Sequence, residues 1–251
     1  MLNLKEYSDT PTLLADYLPW ACMVAPGVVL NKDGSFQTTF KYRGPDLESS
    51  TEEELVSVMA RANNVLRRFG SGWALFFEAQ RHEVHDYPES DFPDALTWLI
   101  DQERTLQAEE VGTRFESSYY LTLLWLPPAD ATGRAEKALI QRAETEDAAT
   151  WRHRLETFQQ HADRVFDLLS TCLAEIAKLS DDETLTYLHS TISTKRHPVI
   201  TPELPVFLDA ILADEPFAGG LEPMIGEAHL RTLTILGFPA STLPGILDEL
   251  N

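Results

Sequence analysis

Apolar positions along this chain follow two periods, one near 3.6 residues and one near 2, and the switches between them mark its elements. Leu13, Leu14 and Tyr17 follow Thr10-Pro11, which offers an N-cap and a proline at the first helical position, and Pro19 ends this short helix. Two β-prone runs, 23–30 and 35–42, flank Asn31-Lys32-Asp33-Gly34, whose Asp-Gly pair supplies the positive φ of a hairpin turn. Thr51-Glu52-Glu53-Glu54 forms a capping box, since the threonine can accept from a free N–H and Glu54 can reach back. Leu55, Val58, Met59, Ala62, Val65, Leu66 and Phe69 then recur at helical spacing until Gly70. The run WALFFEA at 73–79 predicts a strand buried on both faces. Residues 93–110 predict a helix with Leu96, Leu99, Ile100 and Leu106 inward, and SSYYLTLLWL at 117–126 predicts another strand, closed by Pro127-Pro128.

The second half is more helical. Residues 129–150 read as an alanine- and charge-rich exposed helical connection. Trp151, Leu155, Phe158, Ala162, Val165, Phe166, Leu169, Cys172, Leu173 and Ile176 then mark one helical face over about seven turns. A second capping box, Ser180-Asp181-Asp182-Glu183, starts a helix through Ile192. Thr201-Pro202 starts another, with Leu204, Phe207, Leu208 and Ile211 inward. Residues 229–236 predict a last strand, and Ser241 a last short helix. The pattern predicts an α+β fold: a mixed β-sheet with a β-hairpin, packed on helices, plus a helical subdomain. Residues 1–128 and 216–251 are expected to form the sheet-plus-helix core, and 129–215 the helical subdomain.

Charge narrows the choice of partners. Forty acidic and twenty basic side chains give a formal charge of −20. That surface repels nucleic-acid phosphates and anionic headgroups, so no direct nucleic-acid partner is expected. Cys22 and Cys172 offer neither a disulfide framework nor a metal spacing, which fits a reducing compartment. The first residues lack the apolar core of a signal peptide, and no run approaches ~18 uninterrupted apolar residues, so membrane insertion is not expected and the protein reads as cytoplasmic.

Candidate chemistry is sparse. No G-x-x-x-x-G-K-[ST] run exists, and Gly70-Ser71-Gly72 precedes a strand instead of opening a helix, which is the wrong polarity for a phosphate cradle. No G-x-S-x-G elbow is present, and neither cysteine has electropositive neighbours in sequence. No catalytic, cofactor-binding or metal-binding residue is therefore assigned. The rival reading is a stand-alone metal-dependent enzyme built on the loop of His82, Glu83, His85 and Asp86. Four large apolar side chains, Tyr17, Trp20, Trp151 and Leu155, form the candidate partner interface, because aromatic anchors dominate protein–protein contacts.

Seven stretches resemble, in order, the N-terminal region of TrbE proteins of the CagE/TrbE/VirB family. They are LADYLPW at 14–20, VAPGVVLNKDGSF at 24–36, RGPDL at 43–47, GSGWAL at 70–75, DYPES at 86–90, YLTLLWLPP at 120–128 and LGFPAST at 236–242. The resemblance implies the N-terminal domain of a conjugal transfer ATPase of a type IV secretion system. Full-length members hydrolyse ATP to power pilus assembly and substrate transfer, with ATP and Mg held at a Walker motif farther downstream. No such motif occurs here, so this chain is expected to be an excised, non-enzymatic piece. The implied role is docking: partnership with inner-membrane secretion subunits, self-association of the parent ATPase, and a peripheral position at the inner membrane.

Overall fold

The computed structural model describes residues 13–46, 49–84, 90–111, 114–128, 145–234 and 236–237. The strands are β1 (Trp20–Ala25), β2 (Val28–Asn31), β3 (Phe36–Arg43), β4 (Trp73–Val84), β5 (Arg114–Trp125), β6 (Glu175–Lys178), β7 (Phe217–Ala218), β8 (Met224–Ile225) and β9 (Ala228–His229). The helices are α1 (Leu14–Tyr17), α2 (Glu52–Leu66), α3 (Ala95–Val111), α4 (Thr145–Leu169), α5 (Asp181–Ser190) and α6 (Leu208–Leu212). The first six strands make one sheet in the order β1-β2-β3-β5-β4, with β6 also beside β3. The α+β class holds. The mixture lies between helices and strands, since every pairing in this sheet is antiparallel.

Strand β3 is the spine. One edge pairs with β5 from Phe36↔Trp125 to Tyr42↔Tyr119. Its other edge is shared end to end, by β2 through Val28↔Thr38 and by β6 through Phe40↔Lys178. The expected first hairpin strand, 23–30, is broken at Pro26-Gly27 into β1 and β2, making a three-stranded meander. Gly27 has φ +65°, and a Cβ there would lie 2.6 Å from the Leu179 carbonyl oxygen. The second turn is as expected: Gly34 has φ +84°, and Asp33 Oδ1 accepts from the Ser35 N–H at 2.9 Å.

Period-2 alternation divides the sheet's side chains between two covers. On one face Phe40, Leu121 and Leu123 pack with Val65 of α2 and Ala162, Val165 and Leu169 of α4. The same face continues through Val28, Phe36 and Phe158. On the other, Val29 packs with Leu14, Leu18, Trp20, Leu179, Leu185, Leu188, Leu208 and Leu212. A polar chain crosses beneath α5: the Thr39 and Thr122 hydroxyls are 2.8 Å apart, Thr122 is 3.3 Å from the Tyr187 hydroxyl, and Tyr187 donates to Glu78 at 2.7 Å. Gln80 donates to both Glu78 and Ser190, so α5 is tied to β4 twice.

Both capping boxes form as expected, Thr51 with Glu54 and Ser180 with Glu183. The hydrogen bonds that Glu183 accepts from Ser180 hold its carboxyl below the usual range. Other expectations are corrected. The long apolar stripe is not one helix: α4 stops at Leu169, and Ile176 belongs to strand β6. That strand and α4 both come from the stretch 129–215, yet they complete and cover the sheet. The helix expected from Thr201 is reduced to Leu208–Leu212, with Leu204 and Phe207 exposed before it. The strand expected at 229–236 is a two-residue piece of a separate three-stranded sheet, β7-β8-β9. The expected N-cap at Thr10-Pro11, most of the connection at 129–150 and the helix at Ser241 lie outside the described residues.

Candidate functional site

Strands β4 and β5 pair along twelve residues each, from Trp73↔Trp125 to Val84↔Arg114. Pairing of β3 with β5 ends at Tyr42↔Tyr119. Beyond it, Gln80–Val84 and Arg114–Ser118 continue as a two-stranded arm, and α3 lies in the connection between them. Among the described residues β4 pairs on one side only, so its outer edge presents unpaired backbone N–H and C=O groups.

Among the described residues, apolar side chains of this strand lie without a cover. Phe76 is 53% and Phe77 56% exposed, which corrects the expectation that WALFFEA is buried on both faces. Phe115 on the arm is also exposed, with the Arg81 guanidinium 4.9 Å above its ring. Asp94 precedes helix α3, and its carboxylate accepts from the Thr97 N–H at 2.8 Å and the Thr97 hydroxyl at 2.7 Å. Those bonds hold the Asp94 carboxyl below its ordinary range. Leu96, Leu99 and Ile100 share one face of α3 by their spacing, and Trp98 flanks them. All four, with Leu106, are about half exposed or more. The expectation that the leucines and Ile100 point into the core is therefore wrong: α3 is apolar but lies off the sheet's covered faces.

The four side chains expected to form a partner interface are not brought together. Trp20 is 7% exposed, in the core cluster with Val29 and Leu185. Tyr17, 55% exposed, meets the Phe217 ring edge-on at 5.6 Å. Trp151 and Leu155 are half-buried on α4, where Trp151 lies 5.9 Å from the Phe36 ring. Trp20 belongs to the cluster around Val29, with Tyr17 against that cluster's Phe217, whereas Trp151 and Leu155 belong to the cluster around Val28, on the opposite face of the sheet.

Other reactive groups lie elsewhere. His82 is on the β4 arm with its Nε2 4.0 Å from Glu116, while His85 and Asp86 lie outside the described residues. A strand directs His82 and Glu83 to opposite faces, so the two cannot share an ion there. Burial pushes both thiols up: Cys22, and Cys172 against the smaller opposing pull of Arg61. Neither is tuned toward the thiolate. A cleft of about 480 Å³ opens between α4 and the Pro26-Gly27 turn, lined by Glu156, Gln159, Gln160 and the ion pair Lys178–Asp163. Its lysine is thus already paired. Among the described residues, no helix is long and apolar enough to cross a membrane.

Comparison with known proteins assigns this architecture. Residues 27–133 match the family described as Type IV secretion system ATPase VirB4/TrbE, N-terminal domain. The first of two split pieces of a probable conjugal transfer protein TrbE from Sinorhizobium fredii is 37% identical over 148 residues, covering 99% of that piece and 57% of this chain. The chain belongs to the VirB4/TrbE family. The conjugal transfer protein TrbE of Rhizobium radiobacter is 33% identical across 100% of this chain, and the match covers 32% of that protein. The chain thus spans about a third of the length of that TrbE. The type IV secretion system protein virB4 of Brucella suis is 26% identical over 135 residues, 53% of this chain and 16% of its own length. The VirB4/TrbE match at 27–133 includes β2 to β5, and with them the apolar edge strand and α3.

Proposed function

We propose that this chain is a non-catalytic docking and assembly module of a type IV secretion or conjugal transfer ATPase, which tethers the motor to inner-membrane subunits of the secretion system. The observation that carries this reading is the uncovered apolar surface of β4 and α3. An edge strand with unpaired backbone groups accepts an added strand, and an apolar helix face such as that of α3 accepts side chains from a partner. Exposed large apolar side chains such as Phe76, Phe77, Leu96, Trp98 and Leu99 are of the kind that marks an interaction site. The parent protein hydrolyses ATP at a site outside this chain, and its self-association brings several such arms to one secretion complex. The module acts at the cytoplasmic side of the inner membrane, held there through its partners.

The test is capture of the parent system's inner-membrane subunits, in detergent, by the purified chain. The native chain retains one of them specifically. Replacing Trp98 and Leu99 together by serine abolishes retention and leaves the melting temperature within about 2 °C, since both are solvent-facing. Retention unchanged by the double variant overturns the assignment of α3. Tight ATP binding by this chain alone overturns the non-catalytic reading.

A further inference from the structure

Helix α5 ends by delivering His189, 2% exposed, beside the segment that follows α6. His189 Nε2 lies 3.2 Å from Asp214 Oδ1 and has no hydrogen-bond partner. A buried ring nitrogen held by a close carboxylate contact but no aligned hydrogen bond is unusual, because buried polar groups are nearly always satisfied. The His197 ring stands 4.5 Å from the His189 ring, tilted by 59°. One ligand atom from each of His189, His197 and Asp214 falls within 4.8 Å of the others. We infer that His189, His197 and Asp214 form a binding site for a zinc-type divalent cation, distinct from the docking surface.

Donor chemistry and spacing both support this. Two imidazoles and a carboxylate are ligands that zinc takes, with a fourth position left for water or another group. Ligands bound at about 2.0–2.1 Å in tetrahedral geometry stand roughly 3.3 Å apart. The Nε2–Oδ1 separation is already of that size, and His197, exposed on its loop, closes the rest by a side-chain movement. Lys195 donates to the other Asp214 oxygen, Oδ2, at 3.0 Å, which fixes the carboxylate and leaves Oδ1 toward the histidines. Hydrogen bonds to a ligating carboxylate of this kind orient it for the metal. Neighbouring Glu215 is engaged elsewhere, accepting from the Thr194 N–H at 2.6 Å and the Ser193 hydroxyl at 2.9 Å. A plain histidine–aspartate pair does not account for the second imidazole beside it.

The three ligands come from the end of α5, from the loop at 191–207 and from the link between α6 and β7. That loop has no helix or strand, so a bound ion would tie it to two elements of the core and stabilise the fold by its binding free energy. Zinc chloride titrated into the metal-stripped, tag-free chain in a calorimeter tests the site. One equivalent binds, and the melting temperature rises with zinc. His197→Ala weakens binding at least about 10-fold and removes the rise, while leaving the zinc-free melting temperature unchanged because the side chain is exposed. Cobalt(II) in place of zinc gives the visible absorption of a tetrahedral nitrogen–oxygen site, and His197→Ala abolishes it. Absence of zinc binding, or binding that His197→Ala leaves unaltered, overturns the site. Asp214→Asn should match His197→Ala in affinity, and it decides the matter if His197→Ala alone is ambiguous: full affinity in Asp214→Asn also overturns the site.

Discussion

Strands β3 and β4 flank β5 and carry aromatic side chains on the same face, but these side chains have opposite fates. Phe40 of β3, Leu121 of β5 and Phe77 of β4 stand in one cross-strand row on one face of the sheet. Exposure along that row runs from 1% at Phe40 and 1% at Leu121 to 56% at Phe77. β3 has strands on both edges and helices over both faces, whereas among the described residues β4 has a strand on one edge, and α4 covers its start at Trp73 without burying Phe77. Burial is therefore set by place in the sheet. Substitutions on the two sides of this contrast can break it, beginning with the most deeply covered position.

Phe158→Ala has the largest expected effect. Phe158 is fully buried, with the rings of Phe36 at 5.7 Å, Trp73 at 5.8 Å and Trp125 at 6.5 Å. It seats α4 across the near ends of β3, β5 and β4. The lost packing and the cavity together destabilise by about 3–5 kcal/mol, read from denaturant melts. A loss under about 1 kcal/mol would mean that α4 does not form this cover.

Much of this contrast could be read from the sequence, and the reasons for the failures are physical. The capping boxes at Thr51 and Ser180 are local chemistry, and both helix starts were legible. The α4 stripe predicted Phe158, Ala162, Val165 and Leu169 as core, because period 3.6 reports a one-sided environment directly. The break at Pro26-Gly27 was missed because the run at 23–30 was read by its apolarity, whereas proline and glycine there outweigh the run. Glu175–Lys178 was hidden because four residues are too few to show a period, so the stripe ran through it. Phe76, Phe77 and Leu99 misled for a different reason: composition says that a side chain avoids water but not whether its own chain supplies the cover. The grouping of His189, His197 and Asp214 had no sequence signal, as the spacings match no metal motif and chain folding alone unites them.

Next in size is a pair of glycine substitutions. Gly27 and Gly34 both need positive φ, but Gly27 also lies against the Leu179 carbonyl, whereas no atom approaches within 4 Å of a Cβ at Gly34. Gly34→Ala incurs the conformational penalty alone, about 1–2 kcal/mol. Gly27→Ala adds a backbone clash that must displace the β6–α5 link, for a total of about 2–4 kcal/mol. Equal melting temperatures for the two variants would show that the tight β1–β2 turn does not pack there.

Tyr187→Phe removes the hydroxyl that links α5 to Glu78 and is expected to destabilise by about 1 kcal/mol. It also changes the alkaline limb of stability. Burial, chiefly, pushes the Tyr187 phenol well above its ordinary value of 10.0. The unfolded chain then releases this proton at lower pH than the folded chain does. The contribution is full below about pH 10 and is lost as pH rises through the folded value. Tyr187→Phe should flatten the fall in stability above about pH 10, measured by denaturant melts at stepped pH. An unchanged alkaline slope would remove Tyr187 as the group responsible.

Phe77→Ser returns to the shared row and should have the smallest effect on folding. The substitution exchanges an exposed ring for a small polar group, and its ring contact with Tyr42 is distant, 6.5 Å between centroids. The expected loss is about 0.5–1 kcal/mol, well below that of Phe40→Ser in the same row, where a buried ring is replaced. Binding should show the reverse order. If β4 is the strand to which a secretion-system partner adds, Phe77 supplies apolar contact at the centre of that surface, and its loss weakens capture far more than it weakens the fold. Phe40 lies beneath α4 and cannot touch a partner at the β4 edge. Measuring both variants for stability and for retention of an inner-membrane subunit gives the crossed result that defines a docking strand. If Phe77→Ser costs as much stability as Phe40→Ser, β4 is covered by its own chain, and the partner must dock elsewhere.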